Sequence, residues 1–187
     1  MQFGAAPDWS SLLEFDRRAL LGGEVWRLWT GHLVHYSAQH ALIDLATAFI
    51  AAIIAAQSFG ALRVLAALAL GAPLVSLGLL LAAPHLAHYR GASDLAVLLA
   101  VMAGAGLWRR VNGANDTRAA SGRLVRSALA VLAVTLAVKI GAEAGGWSMG
   151  GSDLPGDVVV AWQAHLLGAA FGAAAVLACA RCVRKAM

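Results

Sequence analysis

The stretch Pro84-His85-Leu86-Ala87-His88-Tyr89-Arg90-Gly91-Ala92-Ser93-Asp94 is a short polar interruption between two apolar runs, and its position decides how the chain is read. Residues 62–83 before it and residues 93–108 after it are dominated by Leu, Ala, Val and Gly. A hydrocarbon core about 30 Å thick demands roughly 20 such residues of each spanning helix. The two runs therefore read as consecutive membrane spans, and the stretch between them as a loop at the bilayer surface that carries a serine into the next helix.

Outward from this loop, apolar runs recur at 35–58, 123–144 and 158–182. A polar loop, 109–122, separates the third run from the fourth. A glycine-rich connection, 145–157, leads to the fifth and is placed to act as a lid beside it. The 187 residues are 60% hydrophobic and 13% charged, against about 25% charged in an average soluble domain. The predicted fold is therefore an all-α polytopic membrane protein, a bundle of five transmembrane helices with no separate soluble module. An interfacial segment (1–34) precedes the membrane domain (35–182), and a basic tail (183–187) follows it.

In residues 1–31, Leu12, Leu13, Phe15, Leu20 and Leu21 alternate with Glu14, Asp16, Arg17, Arg18 and Glu24. Such a segment lies on the membrane surface or covers helices, and it lacks the basic start and apolar core of a signal peptide. Trp26, Arg27 and Trp29 are predicted as interfacial anchors. The net charge of +4 comes from basic residues at helix ends: Arg109, Arg110, Arg118, Arg123 and Arg126 around one loop, and Arg181, Arg184 and Lys185 at the C-terminus. That distribution marks cytoplasmic sides rather than a nucleic-acid surface. Five spans then put the N-terminus outside. Two cysteines, Cys179 and Cys182, make no disulfide framework, and their CxxC spacing lacks a redox context.

This topology gathers His35, His40, Ser93 and His165 in one shallow outer layer, where ionisable groups are costly and point to function. On the last helix His165, Gly168 and Gly172 form a small-residue stripe; Ser93, Ala96, Ala100 and Ala103 form another on the third. Two such faces pack with their backbones close, which brings the serine within reach of the histidine. His40 and Asp44, at i and i+4, share a face of the first helix.

These parts suffice for acyl transfer to water. His165 takes the Ser93 proton as general base and later returns it to the leaving amine. No carboxylate is evident behind the histidine, so a dyad is expected. The backbone N–H of Ser93 at a helix N-terminus, with His40, is the expected oxyanion site. Asp44 is also placed there, either as a neutral acid that donates or through His40, since an ionised carboxylate only accepts. Blander alternatives stand beside this. Ser93 also suits a helix cap. His32, His35, His40, His85 and His88 contain HxxH pairs suited to zinc or copper, although no cysteine or carboxylate completes a tetrahedral set, and no cofactor or metal is expected.

The runs Gly23-Glu24-Val25-Trp26-Arg27-Leu28-Trp29-Thr30-Gly31-His32-Leu33-Val34-His35-Tyr36-Ser37-Ala38-Gln39-His40, Arg90-Gly91-Ala92-Ser93 and His165-Leu166-Leu167-Gly168-Ala169-Ala170-Phe171-Gly172 resemble, in order and spacing, the rhomboid intramembrane serine proteases, most closely the rhombosortase branch. The resemblance implies cleavage of bacterial surface proteins that end in a Gly-Gly motif, a transmembrane helix and a basic tail. It also implies a multi-pass protein of the bacterial inner membrane whose active site opens to the periplasm. Ser93 becomes the nucleophile, His165 its base, His40 an oxyanion donor, and Trp26 with Arg27 a structural loop motif. The chain departs from the family pattern at Asp44, where asparagine is usual, at Asp94, where glycine is usual, and at Val97, where an aromatic or imidazole ring often stands. The usual six-helix core also begins with a span not found here. These departures keep a second expectation open, a catalytically inactive rhomboid-like protein that binds transmembrane segments.

Overall fold

A computed structural model describes residues 9–113, 119–147 and 161–185, with side chains described for residues 9–113, 122–147 and 161–180. In chain order the elements are α1 (Trp9–Leu13), β1 (Phe15–Asp16), α2 (Arg17–Leu21), α3 (Arg27–Thr30), α4 (Ala38–Phe59), α5 (Ala61–Ala82), β2 (His88–Tyr89), α6 (Ser93–Gly113), α7 (Ala119–Ala144) and α8 (Trp162–Lys185). The protein is an all-α polytopic membrane bundle as predicted, apart from the two-residue strands β1 and β2. Much of the 145–157 connection read as a lid, the Arg118 position, and the side chains of Cys182 and of the terminal Arg181, Arg184 and Lys185 lie outside the described residues.

Four of the five long helices, α4, α5, α7 and α8, contain stretches long and apolar enough to cross a membrane. The fifth, α6, begins with Ser93-Asp94 and carries Arg109 and Arg110 toward its end, which shortens its apolar length. It is also the helix the others enclose, packing chiefly against α4 and α8 and also against α7. Leu98, Leu99 and Met102 on α6 are buried, and they meet Ala51, Ala55 and Phe59 of α4 and Val176 of α8. Helix α7 is the opposite case, with none of the residues in its most apolar stretch buried. A lipid environment gives helices no hydrophobic reason to associate, so close van der Waals packing between small residues has to hold α6 and α8 together.

That packing is tight along the glycine stripe of α8, but the face of α6 it meets carries Asp94 and Leu98, whereas Ala96, Ala100 and Ala103 of the expected α6 stripe line a cavity. A methyl group added at Gly168 would lie 2.2 Å from the Asp94 carbonyl oxygen, and one at Gly172 would lie 2.6 Å from the Leu98 carbonyl oxygen. Only glycine lets the α8 backbone pass this near α6. Between α4 and α5 a single residue, Gly60, reverses the chain with φ +85°, a conformation that glycine adopts without steric cost.

The N-terminal segment covers helices, the second of the two dispositions expected for it. Phe15 is wholly buried and pairs with Tyr89 across the antiparallel β1–β2 bridge. The Arg17 guanidinium donates to the carbonyls of Leu79 (3.0 Å), Leu80 (3.0 Å), Ala83 (2.7 Å) and Leu86 (3.0 Å). Leu80 lies in the last turn of α5, where carbonyls lack intrahelical partners. Glu14 meets Arg90 at 2.7 Å and His88 at 3.1 Å. The loop that delivers Ser93 is thus pinned from outside the bundle. Arg27 corrects the anchor expectation: it is buried and donates to Glu24 (2.7 Å) and to the carbonyls of Ser11 and Glu14 (both 2.8 Å), fastening α3 to the segment before it. Trp26 and Trp29 are about half exposed, and Trp29 reaches the Ala69 carbonyl.

Candidate active site

Ser93 is the first residue of α6, and Ala92 before it accepts the opening intrahelical bond, from the Ala96 N–H at 2.8 Å. Gly91 has φ +128°, outside the range comfortable for other residues, and this bends the loop sharply into the helix. A side chain there would also strike the His40 ring at 3.1 Å and the Asp44 carboxylate at 3.3 Å. His165 lies in the first turn of α8, one turn before the Gly168 crossing. The crossing at the Asp94 carbonyl therefore sets the Ser93 and His165 side chains face to face. His165 Nε2 is 2.9 Å from Ser93 Oγ.

On its other side His165 meets a group the sequence reading did not supply. Nδ1 is 2.8 Å from Glu143 Oε2, and the Glu143 side chain has no solvent exposure. Lys139, one turn earlier on α7, pairs with Oε1 of the same carboxylate. The expectation that no carboxylate stands behind the histidine is thus corrected. Glu143 lies near the end of the fourth apolar run, and its i, i+4 spacing from Lys139 inside a membrane segment was the signal available for it.

His40 and Asp44 come together beside Gly91, as their shared face on α4 predicted. The Ala92 N–H is shared between Asp44 Oδ2 (3.1 Å) and His35 Nε2 (3.3 Å), and His40 Nε2 lies 3.2 Å from Asp44 Oδ2. Tyr36 stacks on the His40 ring, with centroids 6.2 Å apart and planes 7° from parallel. Asp44 thus joins α4 to the loop before Ser93, and His40 is one of the groups it holds.

Asp94 turns away from this cluster into the protein. Its carboxylate is fully buried and lies 3.0 Å from His32 Nδ1, and Tyr89 donates to it at 3.2 Å. His32 Nε2 in turn faces the Ala72 carbonyl at 3.0 Å and Ser76 Oγ at 3.1 Å. Burial works against a charged His32, but the Asp94 carboxylate and the surrounding acceptors outweigh it and raise its pKa above the ordinary value. His32 thus bonds a backbone carbonyl from inside the fold. His88 pairs with Glu14. Among the described residues no three His, Cys, Asp or Glu side chains form a metal-ligand set.

Ser93 and His165 open onto a cavity of about 910 Å³ between α4, α6 and α7. Its walls are mostly apolar, from Ile50 and Ile54 on α4, Ala96 and Ala100 on α6, and Leu129 and Ala133 on α7, with Asp44 and Lys139 also lining it. A hydroxyl and an imidazole from separate helices of the membrane bundle, hydrogen-bonded beside an apolar cavity, define a membrane-embedded protein with the side-chain arrangement of a serine hydrolase. The family model of the rhomboid domain matches residues 22–182, and the chain belongs to the rhomboid family, whose members are intramembrane serine proteases acting on membrane proteins. Comparison with curated proteins and with solved structures gave no match.

Proposed function

We propose that this protein is an intramembrane serine endopeptidase that cuts bacterial surface proteins near a C-terminal sorting signal made of Gly-Gly, a transmembrane helix and a basic tail, as in the rhombosortase branch. The observation that carries the hydrolase reading is the 2.9 Å contact between Ser93 Oγ and His165 Nε2 at the head of the cavity. The Ser93 hydroxyl gives its proton to Nε2 as Oγ bonds the scissile carbonyl carbon. The tetrahedral oxyanion then collapses, the carbon–nitrogen bond breaks, and the leaving amine takes the proton from Nε2. Water repeats the sequence on the acyl-enzyme ester and restores the Ser93 hydroxyl.

The Ser93 N–H, at the positive end of α6, and His40 are the oxyanion donors in this reading, and Asp44 acts by holding the His40 ring. The apolar cavity receives the substrate's transmembrane helix. A flexible Gly-Gly pair, free of side chains, suits a scissile segment that must unwind and pass the crowded Gly91–His40–Asp44 corner. In the proposed orientation this corner lies on the periplasmic side of the inner membrane, with the basic C-terminal tail in the cytoplasm.

One observation favours a second reading, a rhomboid-like protein that binds transmembrane segments without cutting them. Asp44 brings an acceptor into the region where an oxyanion must form, and it already occupies the Ala92 N–H. A serine-directed fluorophosphonate separates the two. The protease reading expects labelling of the wild-type protein in detergent that disappears in Ser93→Ala and His165→Ala. Absence of wild-type labelling would favour the binder. The sorting specificity is checked with paired membrane-inserted peptides: cleavage must fall when the Gly-Gly is replaced by Val-Val while the apolar segment and basic tail are kept.

A further inference from the structure

Resting on the hydrolase reading, we propose that Glu143 is a positioning residue that makes the pair into a Ser93–His165–Glu143 array, with Lys139 holding the carboxylate in place. The three side chains come from three helices, α6, α8 and α7. Among the described residues, Ser93 and Glu143 are the hydrogen-bond partners of the His165 side chain, one on each ring nitrogen. Both carboxylate oxygens of Glu143 are engaged, Oε2 by the imidazole and Oε1 by the Lys139 ammonium.

The arrangement decides which nitrogen carries the proton. A carboxylate paired with an ammonium only accepts hydrogen bonds, so Nδ1 must carry the hydrogen that points at Oε2. The lone pair then lies on Nε2, facing the Ser93 hydroxyl, which is the tautomer a general base needs. A neutral imidazole without this partner has no such preference. Val97, one turn on from Ser93, offers no ring against which His165 could be fixed. The carboxylate is therefore what sets both the ring's orientation and its tautomer. A buried carboxylate within a membrane helix is costly unless paired, and Lys139 on the adjacent turn supplies the pairing without taking Oε2.

The isosteric variant Glu143→Gln tests this, because it keeps the volume and presents an amide N–H that favours the opposite tautomer. In the purified full-length protein, fluorophosphonate labelling of Ser93 and peptide cleavage are expected to slow by about 10²-fold or more, with KM changed by no more than about 2-fold. The corresponding substitution in a soluble serine protease triad costs about 10⁴-fold in kcat. Glu143→Asp, which retains the charge, should recover part of the loss. ¹⁵N-histidine NMR, with His165 assigned by its loss in His165→Ala, should show Nδ1 protonated in the wild type and Nε2 protonated in Glu143→Gln. A Glu143→Gln protein that labels at the wild-type rate with an unchanged His165 tautomer would overturn the proposal. If the wild-type protein does not label at all, the protease reading fails instead, and the tautomer measurement still decides what Glu143 does to the histidine. Should Glu143→Gln not fold, a Glu143→Asp protein with wild-type labelling and Nε2 protonated would equally overturn it.

Discussion

Asp94, the residue after Ser93, shows how a side chain's role is set by what packs against it. A charged residue near a helix end ordinarily faces solvent. Instead the carboxylate is buried against His32, whose two ring nitrogens face acceptors, Asp94 on one side and the Ala72 carbonyl on the other. An imidazole held between two acceptors is stabilised in its doubly protonated form, consistent with its raised pKa. A group whose pKa is higher folded than unfolded adds stability that is fully present below the unfolded value and lost as pH rises through the folded one. Thermal unfolding in detergent should therefore show the wild type losing stability as pH rises above about 6.5, the ordinary histidine value. Asp94→Asn should flatten that dependence, and a variant with the same slope as the wild type would show that the pair does not titrate. Asp94→Ala should cost about 3–5 kcal/mol below that pH, where it leaves a buried charge without its partner.

At the scale of elements, the site depends on how α8 crosses α6. The Ser93–His165 contact lies one turn from Gly168, where any side chain would collide with the Asp94 carbonyl oxygen. Gly168→Ala should push the helices apart, cost about 1–3 kcal/mol, and lower Ser93 labelling far more than that loss of stability explains. Gly141→Ala on α7 is the matched control, because a methyl group there meets nothing within 4 Å and alanine favours a helix by up to about 1 kcal/mol. Equal effects of the two substitutions on labelling would show that the crossing does not set the site. The small-residue stripes were legible from their spacing alone, because close backbone approach in lipid requires residues without bulk. The partner each stripe would meet was an inference from topology. Glu143 escaped the same logic because α7 packs loosely along most of its length and touches the site only at its end.

Across the whole molecule, a tightly packed wall and an open one enclose the cavity. Helices α4, α6 and α8 are held by buried contacts, and the N-terminal segment ties the α5–α6 loop to them. The remaining wall is α7, whose apolar stretch is unburied. A transmembrane substrate can therefore be accommodated beside Ser93 without breaking the core. Ala133→Trp, which places a large ring in the cavity from the α7 side, should reduce cleavage of a membrane-inserted peptide by about 10-fold or more, equivalent to about 1.4 kcal/mol. Labelling by a small fluorophosphonate should be unaffected, since the probe needs only the head of the cavity. If both reactions fell together, the cavity would be part of the catalytic architecture rather than the seat of the substrate.

The sequence by itself determined the helical membrane architecture, because apolar runs of spanning length and basic loops leave few alternatives in a bilayer. It also determined that His35, His40, Ser93 and His165 share one layer of the bundle, because topology fixes the depth of a residue near a helix end. Only the tertiary structure decided what those groups touch. The Glu143–His165 contact, the burial of Asp94 on His32, and the conversion of Arg27 and Arg17 from surface charges into internal fasteners all depend on which helix faces lie together. A contact of 2.8 Å between residues of different helices depends on the crossing point and rotation of each one, and neither is written in a hydropathy pattern.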